Sequence, residues 1–490
     1  MINNVVLRLC SRDEPARNCD GVAALSPPAA GDAGDAGPET AHEIAAAVGS
    51  GALGARQAVE RSLARIEALD PEINSCVEVL ERAALERADE IDRGGEDPAR
   101  RPLLGVPVTV KEIIEVRGAR NTWGCPAFAD RRASADDPYV ARLREAGAIV
   151  VATTNVPELS CWGHTENPVY GPTLNPRDPR RTPGGSSGGA AASVALAIAP
   201  LAIGSDAGGS IRIPASFSGV VGFKPSFEAT PADATAGVNR LNVVGPLAAR
   251  VADARLAAAA LSQGRIGAPG APGPGSARLA VSEDHGFAPV EPEVRVGFRR
   301  AIAELEAAGW ELARADPAPD EGGRSPLGFI VPPLECEVYE AFAEVLEGGE
   351  HGLSAATVAI AEIGLRTSGR DYFRCLRERS AYEREWRRFF AGHDLLLAPT
   401  TQLPAFELGR NGPDAIDGEP VDPDADGSWY PTSFVANVIG APALSLPCGA
   451  TDAGLPIGLQ VMGPPGADDL VLATGEAIER LLRPRAPAGR

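Results

Sequence analysis

Residues 183–214 read PGGSSGGAAASVALAIAPLAIGSDAGGSIRIP. Two serine-bearing, glycine-rich turns flank one apolar segment of mostly small residues. Glycine loses more freedom on folding than any other residue, so such clusters imply a backbone path that other residues cannot follow. The stretch Ala190 to Ala199 predicts a tightly packed helix, which places Ser186 at or near a helix N-terminus. Free N–H groups there favour negative charge. Leu201 to Gly204 predicts a short buried strand, and the chain then turns through Ser205, Asp206, Ala207, Gly208 and Gly209 into Ser210. Successive N–H groups in such a turn form a concavity for an anion.

A serine hydroxyl is inert at neutral pH without a base. The chain has five histidines, at 42, 164, 285, 351 and 393, and only His164 lies near the glycine-rich region. A second candidate is Lys111, at the end of the alternating run Gly105-Val106-Pro107-Val108-Thr109-Val110. That run predicts a strand directed into the interior, where burial disfavours the charged form of lysine. A neutral Lys111 can take a proton from Ser186, which takes one from Ser210. Each feature alone has a plainer reading: GSDAGGS as an ordinary turn, Lys111 as a solvated or ion-paired side chain. A phosphate cradle of the Walker type is excluded because no lysine follows Gly189.

The block GGSSGG…GSDAGGSIRIPASFSGVVGFKP resembles the signature of the amidase signature family, whose members use a Ser–cis-Ser–Lys triad. The resemblance implies Ser210 as nucleophile, Ser186 as the serine after a cis peptide, and Lys111, in VPVTVKE, as base; it displaces His164 from that role. It further implies an oxyanion hole from the backbone N–H groups of Ala207, Gly208, Gly209 and Ser210. Ser187 and Asp206 match positions that brace the loop. The segment TNVPELS matches one that borders the acyl pocket, which makes Ser160 and Trp162 substrate contacts. Two positions depart from the family: Glu112 stands where aspartate is common and Ser218 where cysteine is common.

The implied activity is hydrolysis of a small-molecule carboxylic amide to acid and amine through an acyl-serine, with no metal or organic cofactor. The alternatives are a glutamine-hydrolysing A-type subunit of a tRNA-dependent amidotransferase, an esterase or carbamate hydrolase on the same triad, and a non-catalytic binding protein of the same fold. The segment SFEATPADATAGVNRLNVVGP and the acidic loop 411–428 speak against the first alternative. The filled triad speaks against the last.

The expected fold is α/β, with a large mixed, mostly parallel sheet covered by helices on both faces, because strands and helices alternate along the chain. One domain is expected over residues 39–485, after a disordered tail over 1–38 rich in Ala, Pro, Gly and Asp. In the N-terminal part, an apolar stripe of Ala58, Val59, Leu63, Ile66 and Leu69 predicts a helix stopped at Asp70-Pro71. A second helix is expected over Val77 to Ile91. Further on, residues 231–240 and 411–428 read as loops, 264–275 as a linker, and 336–392 as helical.

Lys+Arg 46 against Asp+Glu 66 gives a net charge of −20. That balance argues against nucleic acid and anionic membranes as partners. Eight cysteines, at 10, 19, 76, 125, 161, 336, 375 and 448, form no Cys-x-x-Cys pair, so no zinc site is expected. A reduced, cytoplasmic setting follows, since the N-terminus lacks an apolar signal core and no run reaches the ~18 residues of a membrane span. A homodimer is the base-rate expectation for a soluble enzyme.

Overall fold

The computed structural model describes residues 40–230, 240–267, 277–318, 323–349, 352–425 and 427–482. In chain order the strands are β1 (Cys76–Val79), β2 (Pro107–Lys111), β3 (Ile149–Thr154), β4 (Leu201–Asp206), β5 (Val221–Lys224), β6 (Val243–Ala248), β7 (Leu279–Val281), β8 (Leu312–Arg314), β9 (Leu395–Pro399), β10 (Ala415–Ile416), β11 (Glu419–Pro420), β12 (Ala443–Ala450) and β13 (Pro456–Met462). The helices are α1 (Ala41–Gly49), α2 (Ala55–Ile73), α3 (Glu81–Asp92), α4 (Pro138–Glu145), α5 (Gly188–Ala195), α6 (Arg212–Ser218), α7 (Val251–Leu261), α8 (Pro292–Ala307), α9 (Leu327–Gly348), α10 (Ala355–Arg366), α11 (Gly369–Gly392), α12 (Ser433–Val438) and α13 (Asp468–Leu482).

Eleven strands form one mixed sheet in the order β1-β3-β2-β4-β6-β5-β12-β13-β9-β7-β8. Parallel pairs make two blocks, β3–β2–β4 and β9–β7–β8. Antiparallel pairs run through the centre, from β4 by way of β6, β5, β12 and β13 to β9, and β1 closes one edge.

Alternation along the strands sends side chains to two cores, one on each face. Val108, Val110, Leu201, Ile203, Leu395 and Leu397 enter the larger core with residues of α1, α3, α4, α7, α8 and α13. Leu396, Ala443 and Met462 face the aromatic core of α11 and α12, and Ala202 packs with Ala190, Ala191 and Val194 of α5. Thr109 has the opposite parity to Val108 and Val110, and its hydroxyl meets that of Ser193 on α5 at 2.9 Å. Lys111 shares the parity of Thr109, which is why the strand delivers it to the α5 side.

Four expectations change. Residues 76–79 are strand β1, not the start of a helix, because CVEV pairs antiparallel with β3; the helix begins only at Glu81. Helix α2 runs through Pro71 to Ile73. Pro71 is exposed, so the amide donor it lacks is lost on a solvated side of the last turn. The helix ends instead at Asn74, in a left-handed conformation with φ +59°. The third change is within 411–428, where β10 and β11 form a small hairpin. The fourth is helix α9, which starts at Leu327, upstream of the expected 336. The tail 1–38, most of the linker 264–275 and most of the loop 231–240 lie outside the described residues. Among the described residues, no helix is long and apolar enough to cross a membrane.

Candidate active site

Lys111 closes β2 with no accessible surface. Its Nζ donates to Ser186 Oγ at 2.7 Å and to Ser205 Oγ at 2.9 Å. Burial lowers its pKa from 10.5 to about 7, against the opposing pull of Asp206 and Cys161. The amine therefore exchanges its proton in the neutral range.

Ser186 follows a cis Gly185–Ser186 peptide and precedes α5. No side chain fits at Gly185, where a Cβ would lie 2.1 Å from the His164 carbonyl oxygen. Ser187 anchors this turn to the second one: its N–H donates to the Ser210 carbonyl at 3.1 Å, and its hydroxyl donates to the Ser205 carbonyl at 3.3 Å. The two serine turns seen in the sequence are thus joined by the backbone.

Ser210 ends the second turn, just before α6. Asp206, fully buried, organises that turn by accepting from Gly209 N–H at 2.8 Å, Ile211 N–H at 3.1 Å and Asn437 Nδ2 at 2.9 Å. Arg212 donates to both its oxygens, each at 3.0 Å. Burial alone would raise the Asp206 pKa, but the Arg212 guanidinium, with Lys224 and the Asn437 amide, outweighs it and holds the carboxylate at about 2. Arg212 reaches further, to Gln460, Asn437 and the Ser433 carbonyl.

The four amides that the resemblance implies as oxyanion donors differ in their partners. The Gly209 N–H is committed to Asp206, so it points into the turn's own support. The amides of Ala207, Gly208 and Ser210 have no acceptor among the described residues.

Ser160 and Trp162 both border the same cavity as Ser186, Ala207, Gly208 and Ser210, with a volume near 630 Å³. The Ser160 hydroxyl donates to Ser186 Oγ at 2.9 Å. The Trp162 indole N–H donates to Thr357 Oγ1 at 2.9 Å, which leaves its ring as the part available to a ligand. His164 packs beside Trp162, with ring centroids 5.5 Å apart. Burial holds its pKa at about 4, and it hydrogen-bonds to neither Ser186 nor Ser210.

Several site residues went unread in the sequence. Ser205 is a second hydroxyl on Lys111. Helix α9 gives the cavity a wall through Leu334, Val338 and Phe342, an i, i+4, i+8 row that a helical-period search of that segment would have found. Trp123, by contrast, was open in the sequence between core and substrate wall; it lines the cavity and meets Phe342 edge to face, with centroids 5.2 Å apart. Asn437 carries no local signal, since its partners are 196 to 231 residues away. Among the described residues, no group of three His, Cys, Asp or Glu side chains is placed to hold a metal ion.

The sequence profile of the Amidase family matches residues 57–472. The chain belongs to the amidase signature family. This amidase signature protein is 35% identical over 462 residues to indoleacetamide hydrolase of Bradyrhizobium diazoefficiens, covering 90% of this chain and 86% of the relative. It is 31% identical over 483 residues to the A subunit of the glutamyl-tRNA(Gln) amidotransferase of Moorella thermoacetica, covering 90% and 96%. Among solved structures, a bacterial aryl acylamidase of the amidase signature family superposes with a TM-score of 0.81 at 27% identity, over 90% of this chain and 96% of that one. The chain is accordingly a hydrolase acting on amide C–N bonds.

Proposed function

We propose that this amidase signature hydrolase cleaves a small-molecule carboxylic amide through an acyl intermediate on Ser210, with Ser186 and Lys111 as its proton relay. The observation that carries the reading is the buried amine of Lys111 at 2.7 Å from Ser186 Oγ, with Ser186 and Ser210 bordering one cavity. Lys111, neutral in part at pH 7, takes the proton of Ser186 as Ser186 takes that of Ser210. Ser210 Oγ then attacks the carbonyl carbon. The resulting oxyanion is received by the amides of Ala207, Gly208 and Ser210; one such donor contributes about 3–4 kcal/mol to the barrier reduction. Ser186 returns a proton to the departing amine, the C–N bond breaks, and water attacks the acyl-serine by the same relay.

The cavity walls favour an aryl or aryl-alkyl amide. Trp123, Leu159, Ile213, Phe342 and Phe434 give the cavity an apolar, largely aromatic stretch of wall, beside polar residues that include Asn121, Arg131, Asn242 and Glu335. The names of the indoleacetamide hydrolase and aryl acylamidase relatives agree with that preference. The test is a panel of indole-3-acetamide, p-nitroanilides, a p-nitrophenyl ester, a carbamate and glutamine against wild type, Ser210→Ala and Lys111→Met. Hydrolysis of the aryl amides by wild type, with both variants inactive and folded, supports the reading. A Ser210→Ala protein with a tenth of the wild-type rate refutes it.

The kinship with the A-type components of glutamyl-tRNA(Gln) amidotransferases, along nearly the whole of their length, sustains a second reading in which glutamine is the substrate and partner chains are required. Glutaminase activity exceeding aryl amidase activity in the same panel would select it.

A further inference from the structure

The left-handed turn beside the relay shows what holds Ser160 in place. Leu159 and Ser160 adopt φ +49° and +61°, conformations that non-glycine residues occupy only when their surroundings impose them. Three contacts impose them here. The Leu159 N–H donates to the Trp123 carbonyl at 2.8 Å. The Leu159 side chain packs with Cys125 and Phe342. Glu158, 6% exposed, reaches across 196 residues to the start of α10.

The Glu158 contact is fully formed on both oxygens. Oε1 accepts from the Ser354 N–H at 2.9 Å, and Oε2 accepts from the Ser354 hydroxyl at 2.6 Å and from the Thr357 hydroxyl. Ser354 is itself the N-cap of α10, accepting from Thr357 N–H at 3.2 Å, so a carboxylate meets the positive end of a helix. Thr357 Oγ1 in turn accepts from the Trp162 indole. One side chain therefore ties the start of α10 to the turn that carries Ser160.

Resting on the relay reading above, we propose that Ser160 is a positioning residue of that relay, donating to Ser186 Oγ, and that Glu158 sets its position by clamping the turn to α10. Ser186 receives the proton of Ser210 while passing its own to Lys111, and its oxygen carries transient negative charge during that exchange. A hydroxyl donor 2.9 Å away stabilises the charge, and Ser186 Oγ then accepts from Lys111 on one side and Ser160 on the other. Ser160 thereby acts through Ser186, not through the substrate.

The test compares wild type with Ser160→Ala, Glu158→Gln and the double variant, using an aryl amide that wild type hydrolyses and a fluorophosphonate that labels Ser210. In Glu158→Gln the side chain keeps one acceptor oxygen, and its NH2 group must meet either the Ser354 N–H or the two hydroxyls. Ser160→Ala is expected to lower kcat about ten- to hundredfold, the value of one hydrogen bond to a charged oxygen, with KM within about twofold of wild type. Glu158→Gln should lower kcat in the same direction, and the double variant should lose less than the product of the two single losses. The labelling rate should fall in parallel. Ser160→Ala that raises KM and leaves kcat intact makes Ser160 a substrate contact and overturns the proposal. Glu158→Gln with wild-type kcat, or losses that multiply, overturns the clamp. Should Glu158→Gln fail to fold, Thr357→Val, which removes one donor from the clamp, replaces it. The relay reading fails separately, if Ser210→Ala still labels or turns over.

Discussion

Arg212 and Asp206 form an ion pair from which solvent is wholly excluded, with Nη2 at 3.0 Å from Oδ1 and no accessible surface on either side chain. The pair stands behind the turn that ends in Ser210. Asp206 fixes the amides of Gly209 and Ile211, and Arg212 fixes Asp206 to α12 and β13. The shape of the turn that ends in Ser210 is therefore set from beneath by charges that never meet water.

Removing one member of that pair strands the other. Arg212→Met should destabilise the protein by about 3–5 kcal/mol in urea unfolding, the cost of an uncompensated buried charge. The double variant Arg212→Met/Asp206→Leu should recover part of that loss. Stability of the single variant within about 1 kcal/mol of wild type would contradict the buried pairing.

The amine of Lys111 predicts a pH profile. Its folded pKa, lowered by burial to about 7, lies below the unfolded value of 10.5. The neutral base is populated above about pH 7, so kcat/KM should rise with pH and inflect near 7. The same shift means that the unfolded chain binds the extra proton between about 7 and 10.5. Wild type should therefore gain stability relative to Lys111→Met as pH rises through that window. A flat rate profile from about pH 6 to 9 would count against Lys111 as base.

His285 supplies a stability prediction remote from the catalytic chemistry. Its ring is buried beside Trp386, and neither nitrogen has a hydrogen-bond partner among the described residues. Burial, with a smaller push from Arg212, lowers its pKa from 6.5 to about 4. The unfolded chain binds more protons than the folded one in that interval, so stability should fall as pH drops from about 6.5 towards 4. His285→Phe should flatten this part of the pH–stability curve. An unchanged slope would remove His285 as its source.

Two glycines of the serine turns have no room for a methyl group. A Cβ at Gly185 would lie 2.1 Å from the His164 carbonyl oxygen, and one at Gly208 would lie 2.4 Å from a ring carbon of Phe434. Overpacking of this kind costs about 1–3 kcal/mol and shifts backbone. Gly185→Ala should lose most activity, because the obstacle is main chain. Gly208→Ala should lose less, because a ring can move. Equal specific activities for the two variants would contradict this ordering.

The sequence disclosed those parts of the site whose signals are local. The alternation of Gly105 to Val110 gave Lys111 an inward direction, and the structure adds its partners at 2.7 and 2.9 Å. The glycine clusters marked both serine turns, but nothing local showed that Asp206 would take the Gly209 amide. Strand β1 was hidden because CVEV sits between two helices and becomes a strand only by pairing with β3. Pro71 misled because its position in the last turn, on an exposed face, softens the usual penalty. The clamp from Glu158 to Ser354 was out of reach of any local pattern, since 196 residues separate its ends.

The position of β12 and β13 has a consequence for biosynthesis. These two strands come after every other strand in the sequence, yet they lie in the middle of the sheet, with β5 on one side and β9 on the other. A chain still emerging from the ribosome carries two half-sheets with open edges until translation has passed Met462. Ribosome-stalled chains ending at Gly440, just before β12, should thus be protease-sensitive and prone to capture by chaperones. Resistance should arise abruptly once the final hairpin is free of the exit tunnel.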